Sequence, residues 1–257
     1  MSNVLAIAQK ELRSYFFSPI AYVVIGFFVF IFGYFFAANL SAFLRFSMQA
    51  GMYGGGAQVL NVNEHMIRPL LLNSGLILVF VLPFITMRSY AEEKKSGTIE
   101  LLLSSPLTDV QIILGKYLGA MALFAVMLGV TLIPVGLLFV YGEPELLPIL
   151  TGYLGLLLMG GVFISVGLLI SSMTKNQIMA GFATVVVLLL LWTIGWMADP
   201  SGGSTTSQVL GYISVPDHYD DFSKGVIDTA HLAYYLSFIT FGLFLTVRSV
   251  DSERWRG

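Results

Sequence analysis

Two glutamates and two lysines stand in a row at Glu92-Glu93-Lys94-Lys95, with Arg88 just before them and Glu100 just after. Such side chains form ion pairs and surfaces of fixed polarity. They do not amount to a catalytic group, because no nucleophile–base pair accompanies them. The Ser, His and Asp residues elsewhere fall in no catalytic context. The cluster lies directly between two long apolar runs, in a chain with only 11% charged residues. Membrane insertion does not explain it, since acids weigh little in topology. With Leu101, Leu102 and Leu103 beside it, the cluster suits a docking element. Composition alone supports a solvated loop with a mixed-charge face equally well.

A second polar group, Asp217, His218, Asp220, Asp221, Asp228 and His231, precedes the last apolar run. Such oxygen and nitrogen ligands could hold a divalent ion. Their spacing matches no defined metal motif, so no metal site is assigned. The group reads as a solvated loop or as a surface for an extracytoplasmic partner. His65 beside Glu64 reads the same way.

The elements that must position these groups are membrane helices. The chain is 56% hydrophobic, which a soluble domain of 257 residues could not solvate. Uncharged windows over Ile20–Leu40, Pro69–Met87, Tyr117–Gly142, Leu146–Thr174, Asn176–Ala198 and Thr229–Val247 are each long enough to cross the hydrocarbon layer. The fold class is therefore all-α and polytopic, with six transmembrane helices. With both termini cytoplasmic, ten basic residues lie inside and only Arg45, Arg68 and Lys224 lie outside, a strong positive-inside bias. No signal peptide is apparent, and the first apolar run reads as a retained span. The absence of cysteine excludes disulfides, thiolate metal sites and cysteine nucleophiles.

Residues 1–19 read as an interfacial helix. Val4, Ala8, Leu12 and Tyr15 share one face, Gln9, Lys10 and Arg13 the other, and Ser18-Pro19 ends it. Residues 88–110 form a charged hairpin between spans two and three. Ala91–Lys95 favours helix, Gly97 breaks it, and Thr98 can cap a second short helix that Pro106 stops. Thr108 and Gln111 then match a capping box that starts the third span, with Lys116 at the interface. Ser41–Arg68 and residues 199–228 read as long outer loops. Residues 1–257 show no separate soluble domain.

Inside the spans, Pro83 and Pro134 can kink helices. Gly115, Gly119, Gly152, Gly155, Gly160 and Gly161 allow close helix approach, either within one subunit or at hinges and subunit interfaces. No Asp, Glu, Lys or Arg falls within a proposed span, so ion coupling at membrane depth is not expected. The chain also lacks the Gly-x-x-x-x-Gly-Lys-Ser/Thr phosphate-binding motif. Energy must then come from a separate chain.

The run Arg88, Glu92, Glu93, Lys94, Gly97, Thr98, Glu100, Leu102, Leu103 and Pro106 resembles a stretch of ABC-2-type permeases, the membrane subunits of ATP-driven exporters. Six spans, an amphipathic first helix and a short basic tail are similar as well. The later residues Ser214 to Asp228, Tyr234-Tyr235, Arg248 and Arg254-Trp255 are similar to the subgroup containing gliding-motility permeases and the permease of nitrous oxide reductase maturation. The resemblance implies that the hairpin is a coupling region contacting a cytoplasmic ATPase subunit. It implies two ATPase copies, a second permease copy or a related permease, ATP and Mg on the ATPase alone, and no cofactor on this chain. The expected surroundings are a bacterial inner membrane and its lipid, with a possible periplasmic partner and no nucleic acid. An anchoring subunit that moves no solute is the alternative.

Overall fold

The computed structural model describes residues 3–52, 61–99, 107–197 and 205–254, and every element among them is helical. In chain order these are α1 (Asn3–Phe17), α2 (Pro19–Met52), a π-helical turn (Asn63–Ile67), α3 (Arg68–Thr86), α4 (Ala91–Ser96), α5 (Asp109–Tyr141), α6 (Leu146–Met173), α7 (Gln177–Thr193) with a 3-10 continuation (Ile194–Met197), α8 (Thr205–Ile213), a 3-10 turn (Asp217–Tyr219), α9 (Asp220–Ser223) and α10 (Thr229–Arg254). Six of them are long and apolar enough to cross a membrane, as the apolar windows imply. An even number of spans brings both termini to one face, called here the terminal face.

Burial separates two central helices from a surrounding ring. In α3 and α6 most residues are buried: α3 leaves one stripe of Leu76, Phe80 and Phe84 exposed, and α6 is buried on all sides from Leu158 to Leu168, as expected of helices largely enclosed by others. By contrast α2 buries a single seam of Ala21, Val24, Phe28 and Phe32, while Tyr22, Val23, Phe30 and Tyr34 point outward. Outward apolar faces of this kind are stable against lipid tails, where the helix satisfies its own backbone.

Small residues set the spacing. A methyl group on Gly160 would overlap the Phe124 ring, and one on Gly161 would lie 2.7 Å from the Tyr117 hydroxyl. Gly152 and Gly155 of α6 admit Leu71 and the rings of Tyr219 and Phe222. All four glycines therefore serve contacts within one chain. Helices α3 and α5 continue through Pro83 and Pro134.

Both long outer connections contain helices that the apolar windows do not show. Helix α2 does not stop near Leu40 but continues through Ser41–Met52, a stretch with one charge and no proline. Its 34 residues span ~51 Å at 1.5 Å per residue, well beyond the ~30 Å hydrocarbon layer. Gly54–Gly56 lie outside the described residues. The second loop is a folded cap made of α8, the 3-10 turn and α9. Its aromatic residues Tyr219 and Phe222 are fully buried, and the Tyr219 hydroxyl donates to Gly152 O at 3.2 Å. Apolar rings with a glycine-lined seat on α6 hold the segment down despite its acidic residues.

The glycine seats give a direct test. Gly160→Ala should cost about 1–3 kcal/mol through overpacking against Phe124. Gly129→Ala, where a methyl meets nothing within 4 Å, should be neutral or stabilising. Thermal unfolding in detergent compares them, and equal midpoints would contradict the packing described.

Candidate functional site

The charged segment after α3 is built from the helix ends around it. Gly97 ends α4 in a left-handed conformation at φ 72°, which suits glycine and terminates the helix. Beyond the hairpin, the Thr108 hydroxyl accepts from Gln111 N at 3.3 Å while Gln111 Oε1 accepts from Thr108 N at 3.3 Å. That capping box starts α5 well before Tyr117, and so carries Lys116 one turn into packed protein.

Lys116 is the centre of the site. Only 3% of its side chain is exposed. The ammonium has three donors, and its three acceptors are Glu93 Oε1 at 2.7 Å, Ser89 O at 2.8 Å and Glu11 Oε1 at 3.2 Å. The nitrogen also lies 5.1 Å from the centre of the Tyr90 ring, a favourable cation–π position. One cation thus joins α1, the segment after α3, and α5. Burial raises the Tyr90 phenol well above its ordinary range, and the nearby Glu93 and Glu11 carboxylates push it further, so the ring stays neutral.

Glycines bring α1 close enough for this pairing. Val4, Ile7, Ala8 and Glu11 form one stripe of α1 and sit against Gly115 and Gly119, one turn apart on α5. The apolar face of α1 is therefore packed on protein. Tyr15 adds a bond from its hydroxyl to Ile85 O at 3.3 Å.

A second anchor ties the same segment to α6. The Ser171 hydroxyl accepts from Tyr90 N at 3.1 Å and Ala91 N at 3.2 Å, and donates to Met87 O at 3.1 Å. Lys94 is buried and donates to Ser172 O at the C-terminus of α6, where a cation meets the negative end of the helix dipole. Ser172 in turn bonds Ser249 Oγ of α10 at 2.9 Å.

The residues singled out in the sequence thus divide into two sets. Glu93 and Lys94 turn inward to the two anchors. Arg88 is paired with Glu92 at 2.9 Å, while Glu92, Lys95, Ser96, Gly97 and Thr98 form the exposed rim. The Thr98 hydroxyl lies 2.9 Å from Ser96 Oγ. Glu100, Leu102, Leu103 and Pro106 lie outside the described residues. Sequence reasoning missed Glu11, Ser89, Tyr90, Ser171 and Ser172, and placed Lys116 only at an interface. A usable signal existed for Glu11, the lone acid on the apolar stripe of α1.

At the opposite face, Asp220 pairs with Arg68 and Lys224, which joins the cap to the start of α3. Burial alone would raise the Asp220 carboxyl, but these two cations outweigh it and hold it below its usual range. Carboxylate oxygens of Asp221 and Asp228 and a ring nitrogen of His231 lie within 4.8 Å of one another. His231 Nε2 is 2.9 Å from Asp221, the Asp228 carboxylate caps α10 through Ala230 N at 2.8 Å, and Lys224 Nζ lies 3.9 Å from Asp221. These contacts engage His231 Nε2, Asp221 Oδ2 and Asp228 Oδ1 within the protein.

His218 is buried in the same cap and stacks on Tyr234 at 3.7 Å. Its Nδ1–H donates to Ser214 O at 2.9 Å, since a carbonyl can only accept. Burial lowers its pKa, reinforced by His231 and opposed by the Ser214 bond and Asp217.

Two predictions follow from these contacts. Lys116→Met leaves Glu11 and Glu93 without their cation and should cost about 3 kcal/mol, the low end for a broken buried pair because both acids keep some access to water. Adding Glu11→Gln and Glu93→Gln should restore most of the loss in thermal midpoint; no loss in the single variant would contradict the node. For His218 the folded pKa is depressed, so the unfolded chain binds the extra proton. Its contribution is complete above about pH 6.5, the unfolded value, and falls away as pH drops through the lower folded value. The wild-type midpoint should therefore fall more between about pH 7.5 and about pH 5.5 than that of His218→Gln, and equal slopes would contradict this assignment.

Comparison with known proteins places this architecture. Residues 58–214 match the model of a family described as ABC-2 family transporter protein. A probable multidrug ABC transporter permease, YbhR, of Escherichia coli strain K12 is 27% identical over 143 residues, which is 55% of this chain and 38% of that protein. The O157:H7 version gives the same figures. The chain thus aligns with less than half the length of these curated relatives. The family match covers more than half of the chain and includes Lys116, Ser171 and the exposed rim, and the chain belongs to the ABC-2 transporter family.

Proposed function

We propose that the chain is the permease subunit of an ATP-driven exporter, and that residues 88–110 couple its spans to a separate ATPase. The observation that carries this reading is the double anchoring of one short segment. Lys116 ties it to α1 and α5, while Ser171 and Ser172 tie it to α6. A force on the exposed rim then loads several membrane elements together.

The roles divide accordingly. Glu92, Lys95 and Gly97–Thr98 meet the ATPase, together with Glu100, Leu102, Leu103 and Pro106 beyond the described residues. Arg88 holds Glu92 in place, and Glu93 and Lys94 pass the displacement inward. ATP and Mg belong to the ATPase, in keeping with the absence of a phosphate-binding motif here. Two ATPase copies and a second permease, identical or related, complete the assembly. The excess of basic residues on the terminal face supports cytoplasmic termini in a bacterial inner membrane. We treat residues 1–257 as one ABC-2 transmembrane unit. The late motifs from Ser214 to Trp255 support a place beside the gliding-motility and nitrous oxide reductase maturation permeases.

The test is reconstitution with the cognate ATPase. Gly97→Pro cannot adopt φ 72°, because proline is held near −65°. It should keep insertion and oligomeric state yet abolish the chain's effect on ATP hydrolysis. Lys95→Glu on the rim should weaken ATPase binding roughly tenfold, the scale of a single hot-spot residue. Unchanged binding and hydrolysis in both variants would contradict the coupling role. ATP hydrolysis without vectorial movement of any cargo would favour an anchoring subunit.

A further inference from the structure

Two cavities adjoin on the outer side of α1, α2 and α3. The first, about 340 Å³, lies at the terminal face between α1 and the segment after α3, and charged and polar side chains line it together with Tyr15, Ile20 and Phe84. The second, about 390 Å³, runs between the first turns of α2 and the last turns of α3. Every residue lining it is apolar, among them Val23, Val24, Phe27 and Val81. Ile20 and Phe84 line both, so the polar cleft and the apolar groove share a wall. From Ile20 to Phe27 the groove extends ~10 Å along α2.

This polarity profile is that of an amphiphile at a membrane surface. The groove begins where α2 and α3 enter the apolar layer, and the cleft lies just outside it. The charges of the cleft select the headgroup. Lys10, Arg88 and Lys116 line it together with Glu11, Glu92 and Glu93, three cations and three anions. Lys116 is held by Glu11 and Glu93 and is only 3% exposed, so the charges that face the opening are Lys10 and the more exposed Arg88–Glu92 pair. A purely anionic headgroup would meet Glu92 and Glu11 as well as the cations. One with a phosphate and a primary ammonium complements both signs, phosphate toward Lys10 and Arg88 and ammonium toward the exposed Glu92, so that the headgroup extends the Arg88–Glu92 pair.

We propose that the cleft and groove form one binding site for a phospholipid of the terminal-face leaflet, with an acyl chain between α2 and α3 and a phosphoethanolamine headgroup beside Lys10 and Arg88. The site does not depend on the ATPase reading. Because Glu11, Glu93 and Lys116 form one wall of the cleft, the lipid would bear on the same node that holds α1 to α5.

The full chain in phosphatidylcholine nanodiscs, doped with a phosphatidylethanolamine carrying a diazirine in its acyl chain, provides the test. After irradiation, peptide mapping should place saturable label on Val23, Phe27, Val81 and Phe84. Unlabelled phosphatidylethanolamine should displace it roughly tenfold better than phosphatidylglycerol, a factor worth about 1.4 kcal/mol. Val23 is 67% exposed, so Val23→Trp can fill the groove without entering the core. It should cut the label by a similar factor, while Val186→Trp on the outward face of α7 should not. Lys10→Glu, on an exposed residue, should remove the headgroup preference even if Val23→Trp fails to fold. Label spread evenly over the outward faces of α2, α7 and α10 would overturn the site, as would equal displacement by both lipids. Chain-to-chain crosslinks at Val23 and Phe27 in place of lipid label would assign the groove to a second copy and also overturn it.

Discussion

The burial of one ammonium group between two carboxylates and a backbone carbonyl constrains the whole terminal face. Lys116 enters packed protein because α5 starts early, and it can stay charged there only if acceptors come to it. Ser89 and Glu93 reach it from the segment after α3, and Glu11 reaches it from α1. None of these elements can move far alone without leaving an uncompensated buried charge. The glycine pair at Gly115 and Gly119 makes the approach possible, because larger residues there would hold α1 and Glu11 away.

A cation and a helix end perform the same task on the other flank. Lys94 and the Ser171 hydroxyl fix the start of α4 to the C-terminus of α6, one of the two enclosed helices. The exposed rim thus continues from a segment held on two flanks, by Lys116 and by the end of α6, with its outer side left to water.

Much of the fold was legible because its causes are local. The six spans follow from uncharged length, the start of α5 from Thr108 and Gln111, and the end of α4 from Gly97. The helices of the second outer connection were not legible because their determinants are tertiary. Tyr219 and Phe222 are held by glycine seats on α6 more than 60 residues away in sequence, and the hydroxyl bond from Tyr219 to Gly152 has no sequence signature. The charged segment stands out in the sequence, yet the inward turn of Glu93 and Lys94 depends on partners at Lys116 and Ser172. Glu11 shows the same limit. Its place on the apolar stripe of α1 marked it as anomalous, but only the fold supplies the lysine that explains it.

The central claim is that α1 and the segment after α3 move as one body. Because the chain contains no cysteine, single spin labels can be placed at the exposed positions Gln9 and Lys95 without background. Pulsed electron–electron distance measurement, with the cognate ATPase present, would compare the nucleotide-free state with the state trapped in ATP. One narrow Gln9–Lys95 distance common to both states is the result this account predicts. A distance that shifts with nucleotide, or a broad distribution in either state, would contradict it.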